Sequence, residues 1–413
     1  MEYTQNIQEN KFELLKGDKV LWSVILLISL FSIFPVYSAS SNLEYIVNTG
    51  TTTSHILKHG FFVFLGLAIM RGVGMIKYEY IGKLSSILLG IMVVLLLLTM
   101  FAGQKIDGAS ASRWLKIPGT PISFQPSTFA YLMLVIYLCR FLTKNVKRER
   151  LPIENIVYVF GPVLLVFILV AKDNGSTALM ILMVAMVVMV IGQFARKYII
   201  GFIGVSVLLV GVFLFLALKT DLIKSNRVHT WMSRIETFSN AKKTDEVQSE
   251  SLKAKNYQVT QAKAAIIHGG ITGIGPGKSA LKQSLPQSVS DFIFAIIVEE
   301  YGLIGAFVLI SLYLIMMIRI VMIASKMPAF FGSLLVLSLG IMIFVQLAVN
   351  IAVAVNLIPV TGQPLPLISY GGTSMLVTYL QLGIILNVSS RIQVYDEEGM
   401  GKKQNIEEIN DIA

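Results

Sequence analysis

The chain has little cysteine, little histidine and little charge. Of 413 residues one is cysteine, Cys139, and four are histidine. A lone cysteine closes no intrachain disulfide and builds no thiolate metal cluster. His55 and His59 stand four apart, as metal ligands on a helix do, but no acid accompanies them. Lys58, between them, is placed to meet lipid phosphates. Only 14% of residues are charged, 55% are hydrophobic, and the mean hydropathy is +0.72. That balance excludes a soluble domain. The usual allowance of one domain per ~150 residues describes soluble cores and does not apply. No cleavable signal is evident, because Met1 to Val20 is polar and the first apolar run is long enough to remain as a span.

What is there is a series of apolar runs. About 20 residues, rising about 1.5 Å each, cross the hydrocarbon of a bilayer. Ten such spans are expected, at 20–37, 55–74, 82–102, 123–142, 154–171, 176–194, 198–218, 292–318, 329–355 and 373–390. The expected fold is all-α, one integral membrane bundle. Residues 1–19 form an N-terminal tail, 20–218 carry spans one to seven, 219–291 form a large loop, 292–390 carry spans eight to ten, and 391–413 form a C-terminal tail. The net charge of +10 could suggest nucleic acid. Basic cytoplasmic loops account for it more simply, and no nucleic acid is expected. Lys144, Lys147, Arg148 and Arg150 follow span four. Arg196 and Lys197 follow span six, and Arg71, Lys77 and Lys83 lie around the turn after span two. Both termini are therefore cytoplasmic, and the loops 38–54 and 356–372, free of Lys and Arg, are outside. The loop 219–291 is also outside, since long loops escape the charge rule. Within it, "VHTWMSRIETF" and "NYQVTQAKAAIIHGG" have the spacing of short amphipathic helices.

The stretch "GGITGIGPGKS" ends as a phosphate-binding loop does. The pattern needs a glycine at 272, which is Thr272, and a strand before it. Nucleotide binding is therefore not expected. Gly269, Gly270, Gly273, Gly275 and Gly277 instead suggest a shaped loop at the membrane surface.

Asp291 stands where this loop becomes span eight. A carboxylate there suits the helix dipole as a cap, and equally suits a general base in a cavity open to the outer leaflet. Glu299 and Glu300 lie about 12 Å further along the helix and point about 100° apart. Acids at that depth face a protein interior or a wet cavity. Bonding that holds the bundle together is their plainer role. Arg113 and Trp114 share an outer loop, where arginine matches phosphate and tryptophan anchors at the interface. "NLIPVTGQPLPLISYGGTS" has three prolines and no charge between two spans. Such backbone must be buried in protein or line a cavity.

Four segments in order, "RWLKIPGTPISFQPS", "YQVTQAKAAIIHGGITGIGPGKS", "LPQSVSDFIFAIIVEEYGLIG" and "LIPVTGQPLPLISYGGTS", resemble the SEDS family of bacterial membrane proteins over nearly the whole chain. The resemblance implies a peptidoglycan glycosyltransferase that polymerises lipid II at the outer face of the cytoplasmic membrane. The family's catalytic aspartate falls on Asp291. Arg113, Trp114, Lys58, Gln258, Lys278, Glu299, Ser369 and Gly371 are the expected substrate-binding residues, with Lys278 meeting lipid pyrophosphate. No protein metal site is expected, although a divalent cation, Mg or Mn, is a candidate to accompany the pyrophosphate. The implied partners are a class B penicillin-binding protein, which is a transpeptidase, and other division proteins. The septal branch is favoured over the elongation branch. A lipid II flippase and a non-catalytic division scaffold are the alternatives. The chain departs from the family in three places. Thr128 and Tyr131 stand where a charged pair is common, Gln287 and Val289 replace an acid and a histidine, and Asn356 replaces a glycine.

Overall fold

The computed structural model describes residues 16–45, 51–103, 114–116, 123–145, 153–204, 250–280 and 290–411. Its helices are α1 Lys19–Phe31, α2 Ile33–Tyr45, α3 Thr52–Val73, α4 Tyr78–Ala102, α5 Pro126–Asn145, α6 Ile153–Ala171, α7 Gly175–Ile191, α8 Glu250–Gly269, α9 Ile293–Lys326, α10 Phe330–Ala354 and α11 Gly372–Asp411. Residues 196–204 are also helical. Two short strands, β1 Leu115–Lys116 and β2 Ser123–Phe124, pair antiparallel, with Leu115 opposite Phe124.

Among the described residues seven helices are long and apolar enough to cross a membrane, and two shorter ones, Asn155–Ala171 and Gly175–Ile191, are apolar. They fall on nine of the ten expected spans. The expected span at 198–218 lies mostly outside the described residues, as does "VHTWMSRIETF". Phe64, Phe101, Phe307 and Leu57 are among many large apolar side chains that point away from the protein. On a soluble molecule such a surface would aggregate, whereas here it is the lipid-facing skin of the bundle.

Side chains join helix ends that the sequence reading puts on one side of the membrane. Asp18 accepts the N–H of Leu21 at 2.8 Å to cap α1, and also pairs with Arg319 near the end of α9. Both are expected on the cytoplasmic side. Asn387, late in α11, donates to the carbonyls of Val73, Gly74 and Ile76 at 3.2, 2.9 and 2.7 Å. Its Oδ1 accepts the N–H of Tyr78 at 3.2 Å, so one amide closes the cytoplasmic turn between α3 and α4.

Three boundaries differ from expectation. The helix expected to end at 318 continues to Lys326, and α11 carries helix to Asp411, through most of the expected C-terminal tail. "NYQVTQAKAAIIHGG", all but its last residue, lies within α8, which begins earlier, at Glu250, and packs on α9 along Ala262, Ala265 and Gly269. These are residues three and four apart, on one helical face.

The largest difference lies inside α9. Gly302 has φ 68° and ψ −171°, a conformation that only glycine adopts readily, and the helix breaks there. The glycine-rich segment after α8 fills the break. Ile274 N–H and Gly275 N–H donate to the carbonyls of Glu299 and Glu300, both at 3.0 Å. Leu303 N–H and Ile304 N–H donate to the carbonyls of Gly270 and Ile271, at 3.0 and 3.2 Å. Backbone groups that a break would leave unpaired in the membrane are thus paired by another segment, as a non-aqueous medium requires. A Cβ on Gly269, Gly273 or Gly302 would lie 2.1, 2.3 or 2.2 Å from a backbone oxygen of the opposing segment. The glycines are there because two backbones touch.

Candidate active site

The outer end of α9 meets the proline-rich segment 356–371. Helix α9 begins at Ile293 with Phe292 as its cap, and Phe292 C=O accepts Ala295 N–H at 3.0 Å. The carbonyls of Ser290 and Asp291 therefore stand outside the helical ladder and need other donors. Ser369 Oγ donates to Ser290 C=O at 2.6 Å while accepting Leu365 N–H at 2.7 Å. Asn350 Nδ2, from α10, donates to Asp291 C=O at 3.0 Å and to Gln363 C=O at 2.7 Å. Gln363 Nε2 in turn donates to Thr177 Oγ1 of α7 at 2.7 Å.

The proline-rich segment is fixed from several sides. Gln346 Nε2 donates to Pro364 C=O at 2.9 Å, and Tyr313 OH donates to Pro366 C=O. Leu365, Leu367, Ile368 and Ser369 are buried. Gly362, at φ 72°, lies against the acid, and a Cβ there would stand 3.4 Å from Asp291 Oδ2. Asp291 itself is half-buried. It is therefore a carboxyl at a protein surface with its backbone held on both flanks, in the arrangement a positioned base needs.

The end of α3 joins the same region. Tyr370, between Ser369 and Gly371, packs edge-on against His55 at 5.7 Å between ring centres and lies 6.2 Å from His59. His55 Nδ1 and Tyr370 OH are 3.4 Å apart, and His59 Nε2 bonds Ser32 Oγ at 2.9 Å. The two histidines are thus packing and hydrogen-bonding groups. Lys58, on the same turn, is exposed, and Gly371 is half-buried with its carbonyl accepting Ser374 Oγ at 3.1 Å. Among the described residues no three His, Cys, Asp or Glu side chains converge to hold a metal.

The second acidic pair has another setting. Glu299 and Glu300 are 0% and 1% exposed. Glu299 is bonded by His268 Nδ1 at 3.0 Å, by Ala280 N–H at 3.2 Å and by Ser279 Oγ. Glu300 accepts from Ser38 Oγ, on α2, and from Ser279 N–H at 3.4 Å. Both acids are enclosed by the glycine-rich segment rather than facing the region around Asp291. Gln258 is half-buried on α8, and Lys278 is exposed with its chain lying along Gly275. Trp114 is half-buried beside β1, and Arg113 lies outside the described residues. Tyr131, one of the family departures, is buried, and its hydroxyl has no hydrogen-bond partner.

Reading the sequence did not single out Asn350. Two amides four apart in an apolar span, Gln346 and Asn350, were the available signal. Polar side chains in lipid are costly unless they face partners, and that spacing puts both on the face toward the proline-rich segment.

Such a bundle defines a class, the multispan helical membrane proteins whose outer mouth holds a fixed carboxyl between a broken helix and a buried proline-rich segment. Residues 18–393 match the FtsW–RodA–SpoVE family of cell cycle proteins, and the chain belongs to that family. It is 32% identical to the probable peptidoglycan glycosyltransferase FtsW of Enterococcus hirae, over 91% of this chain and 94% of that one. Its identity to the protein of the same name from Geobacter metallireducens is 31%, over 94% and 98%. Among solved structures it is similar to a chain of a peptidoglycan synthase complex that coordinates polymerization and crosslinking, with a TM-score of 0.70 and 22% identity over 91% and 98% of the two chains. The rod shape determining protein RodA of Thermus thermophilus has the same fold, with a TM-score of 0.60 and 22% identity over 92% and 98%. The resemblance read from the four motifs therefore holds.

Proposed function

We propose that this protein is a peptidoglycan glycosyltransferase that polymerises lipid II, a disaccharide-pentapeptide on undecaprenyl pyrophosphate, into β-1,4-linked glycan. The names of its relatives support the activity. The observation that carries the mechanism is Asp291, a half-buried carboxyl whose own and preceding carbonyls are held by Asn350 and Ser369. Asp291 takes the proton of the acceptor sugar's hydroxyl as that oxygen attacks the anomeric carbon of the donor. The bond to pyrophosphate breaks and the carbon inverts, so one base and a good leaving group suffice. Positive charge stabilises the departing pyrophosphate. Lys58 and Lys278, both exposed, and Arg113 are the candidates to supply it. A divalent cation, Mg or Mn, is a candidate to accompany the pyrophosphate. Trp114, Gln258, Ser369 and Gly371 are assigned to substrate contact.

Both sugars remain anchored by lipid, which is why the base belongs at the mouth of a membrane bundle rather than in a soluble cleft. The partner we assign is a class B penicillin-binding protein that crosslinks the strands. We place the pair at the division septum, in keeping with relatives named FtsW. The full chain with that transpeptidase should make glycan from purified lipid II. Asp291→Ala should insert in the membrane normally and lose about 10²–10⁴-fold in rate. Undiminished polymerisation by that variant would remove Asp291 as the base. A flippase reading would instead be favoured if the variant moved lipid II across a bilayer while wild type made no glycan.

A further inference from the structure

Asn350 lies in the last two turns of α10, 1% exposed, in an otherwise apolar stretch. Its single amide nitrogen spends both hydrogens outside its own helix, one on Asp291 C=O and one on Gln363 C=O. The first carbonyl is one the α9 ladder cannot use, because α9 starts two residues later. The second leads through Gln363 Nε2 to Thr177 on α7, whose N–H is capped by Asn174 Oδ1 at 3.2 Å. One side chain thus joins α10, the residue bearing the carboxyl, the proline-rich segment and, through it, α7. Asn350 Oδ1 is buried without a hydrogen-bond partner, and so is Thr361 Oγ1, next to the glycine that lies against Asp291 Oδ2. An amide kept at this depth with one end unpaired is costly, so its other end must do something an apolar residue could not.

We propose that Asn350 is the positioning residue for Asp291, fixing the backbone carbonyl of the base so that its carboxyl meets the acceptor hydroxyl at one angle. This rests on the polymerase reading above. The Ser369 bond to Ser290 C=O sets the preceding peptide, so two successive peptides before α9 are locked by side chains from two different segments. Losing the Asn350 donors frees the second lock and lets the carboxyl turn away, while the surfaces that bind the lipid-linked sugars stay as they were. Misplacement of a catalytic group by about 1 Å costs on the order of 100-fold in rate.

The test is a lipid II titration on the full chain in complex with its transpeptidase, comparing wild type, Asn350→Leu and Asn350→Asp. Leucine matches asparagine in size and cannot donate. Aspartate keeps the shape, removes the amide and carries the test if the leucine variant does not assemble. The expected result is a kcat about 10–100-fold lower in each assembled variant with KM for lipid II within about threefold of wild type. An unchanged kcat, or a loss appearing mainly in KM, overturns the positioning role. Wild-type protein that polymerises lipid II no faster than Asp291→Ala defeats the polymerase reading itself, which is a separate failure.

Discussion

Two segments enter the bundle from its outer side, and both carry glycine against an acid. The glycine-rich segment 269–280 encloses Glu299 and Glu300, while the proline-rich segment 356–371 flanks Asp291. In the first, donors go to the carboxyls themselves, from His268, Ser279 and Ala280 to Glu299 and from Ser38 and Ser279 to Glu300. In the second, Ser369 and Asn350 donate to the backbone carbonyls of Ser290 and Asp291. A carboxyl wrapped in donors and closed to solvent holds a structure together. A carboxyl that is half-buried, with its backbone locked, is set up to react. The same residue class serves two purposes, and the difference lies in how far each carboxyl is closed to solvent and in what holds the backbone that carries it.

One chemical change made at both places tests that contrast most strongly. Asp291→Asn should remove polymerisation by about 10²–10⁴-fold and leave the melting temperature in detergent unchanged. Glu299→Gln should do the reverse. Its amide nitrogen would face donors where an oxygen now accepts, at a cost of about 1–3 kcal/mol in stability, with most of the turnover retained in protein that folds. Equal losses of turnover at the two sites would erase the distinction.

The junction at Gly302 comes next in size. A residue with a side chain is strained at φ 68°, by about 1–3 kcal/mol, and its Cβ would stand 2.2 Å from Ile271 C=O. Gly302→Ala should therefore lower thermal stability and raise amide hydrogen exchange or proteolysis around 268–280, where Ser279 is now buried. Gly277→Ala, at φ 76° but with open space around it, should cost only the backbone strain. A smaller effect at Gly302 than at Gly277 would mean that the two segments do not touch as described.

Hydropathy alone carried most of the fold. The runs that became α1, α3, α4, α5, α9, α10 and α11 are long and apolar, and basic loops oriented them. The break at Gly302 was hidden, because the apolar run resumes directly after it in "YGLIGAFVLI". Its cause is a segment some 30 residues earlier, and no local period reports a contact of that kind. The glycines at 269 and 273 were legible as a shaped loop, but what they shape themselves against was not. At the candidate site, Asp291 was legible because an acid is conspicuous at a span boundary. Ser369 was placed by its motif, although its geometry makes it a tie to Ser290 C=O as well as a candidate contact. Asn350 went unnoticed since two amides within "FVQLAVNIAVAV" look tolerable until their acceptors are known.

Lys278 offers the smallest effect and the finest discrimination. It lies on the glycine-rich segment, next to the serine that bonds both buried acids, yet its own ammonium is exposed beyond Gly275. If that segment were purely a brace, Lys278→Ala would change neither stability nor rate, because exposed lysines contribute little to folding. If the segment also presents charge to lipid pyrophosphate, the variant should melt as wild type does but need several-fold more lipid II for half-maximal rate, and that need should converge with wild type as salt rises. The shift expected is about 1 kcal/mol or less, the usual worth of one exposed charge. A titration at low and high ionic strength reads it directly. A salt-independent difference would mean that the side chain acts through the shape of the segment and not through its charge.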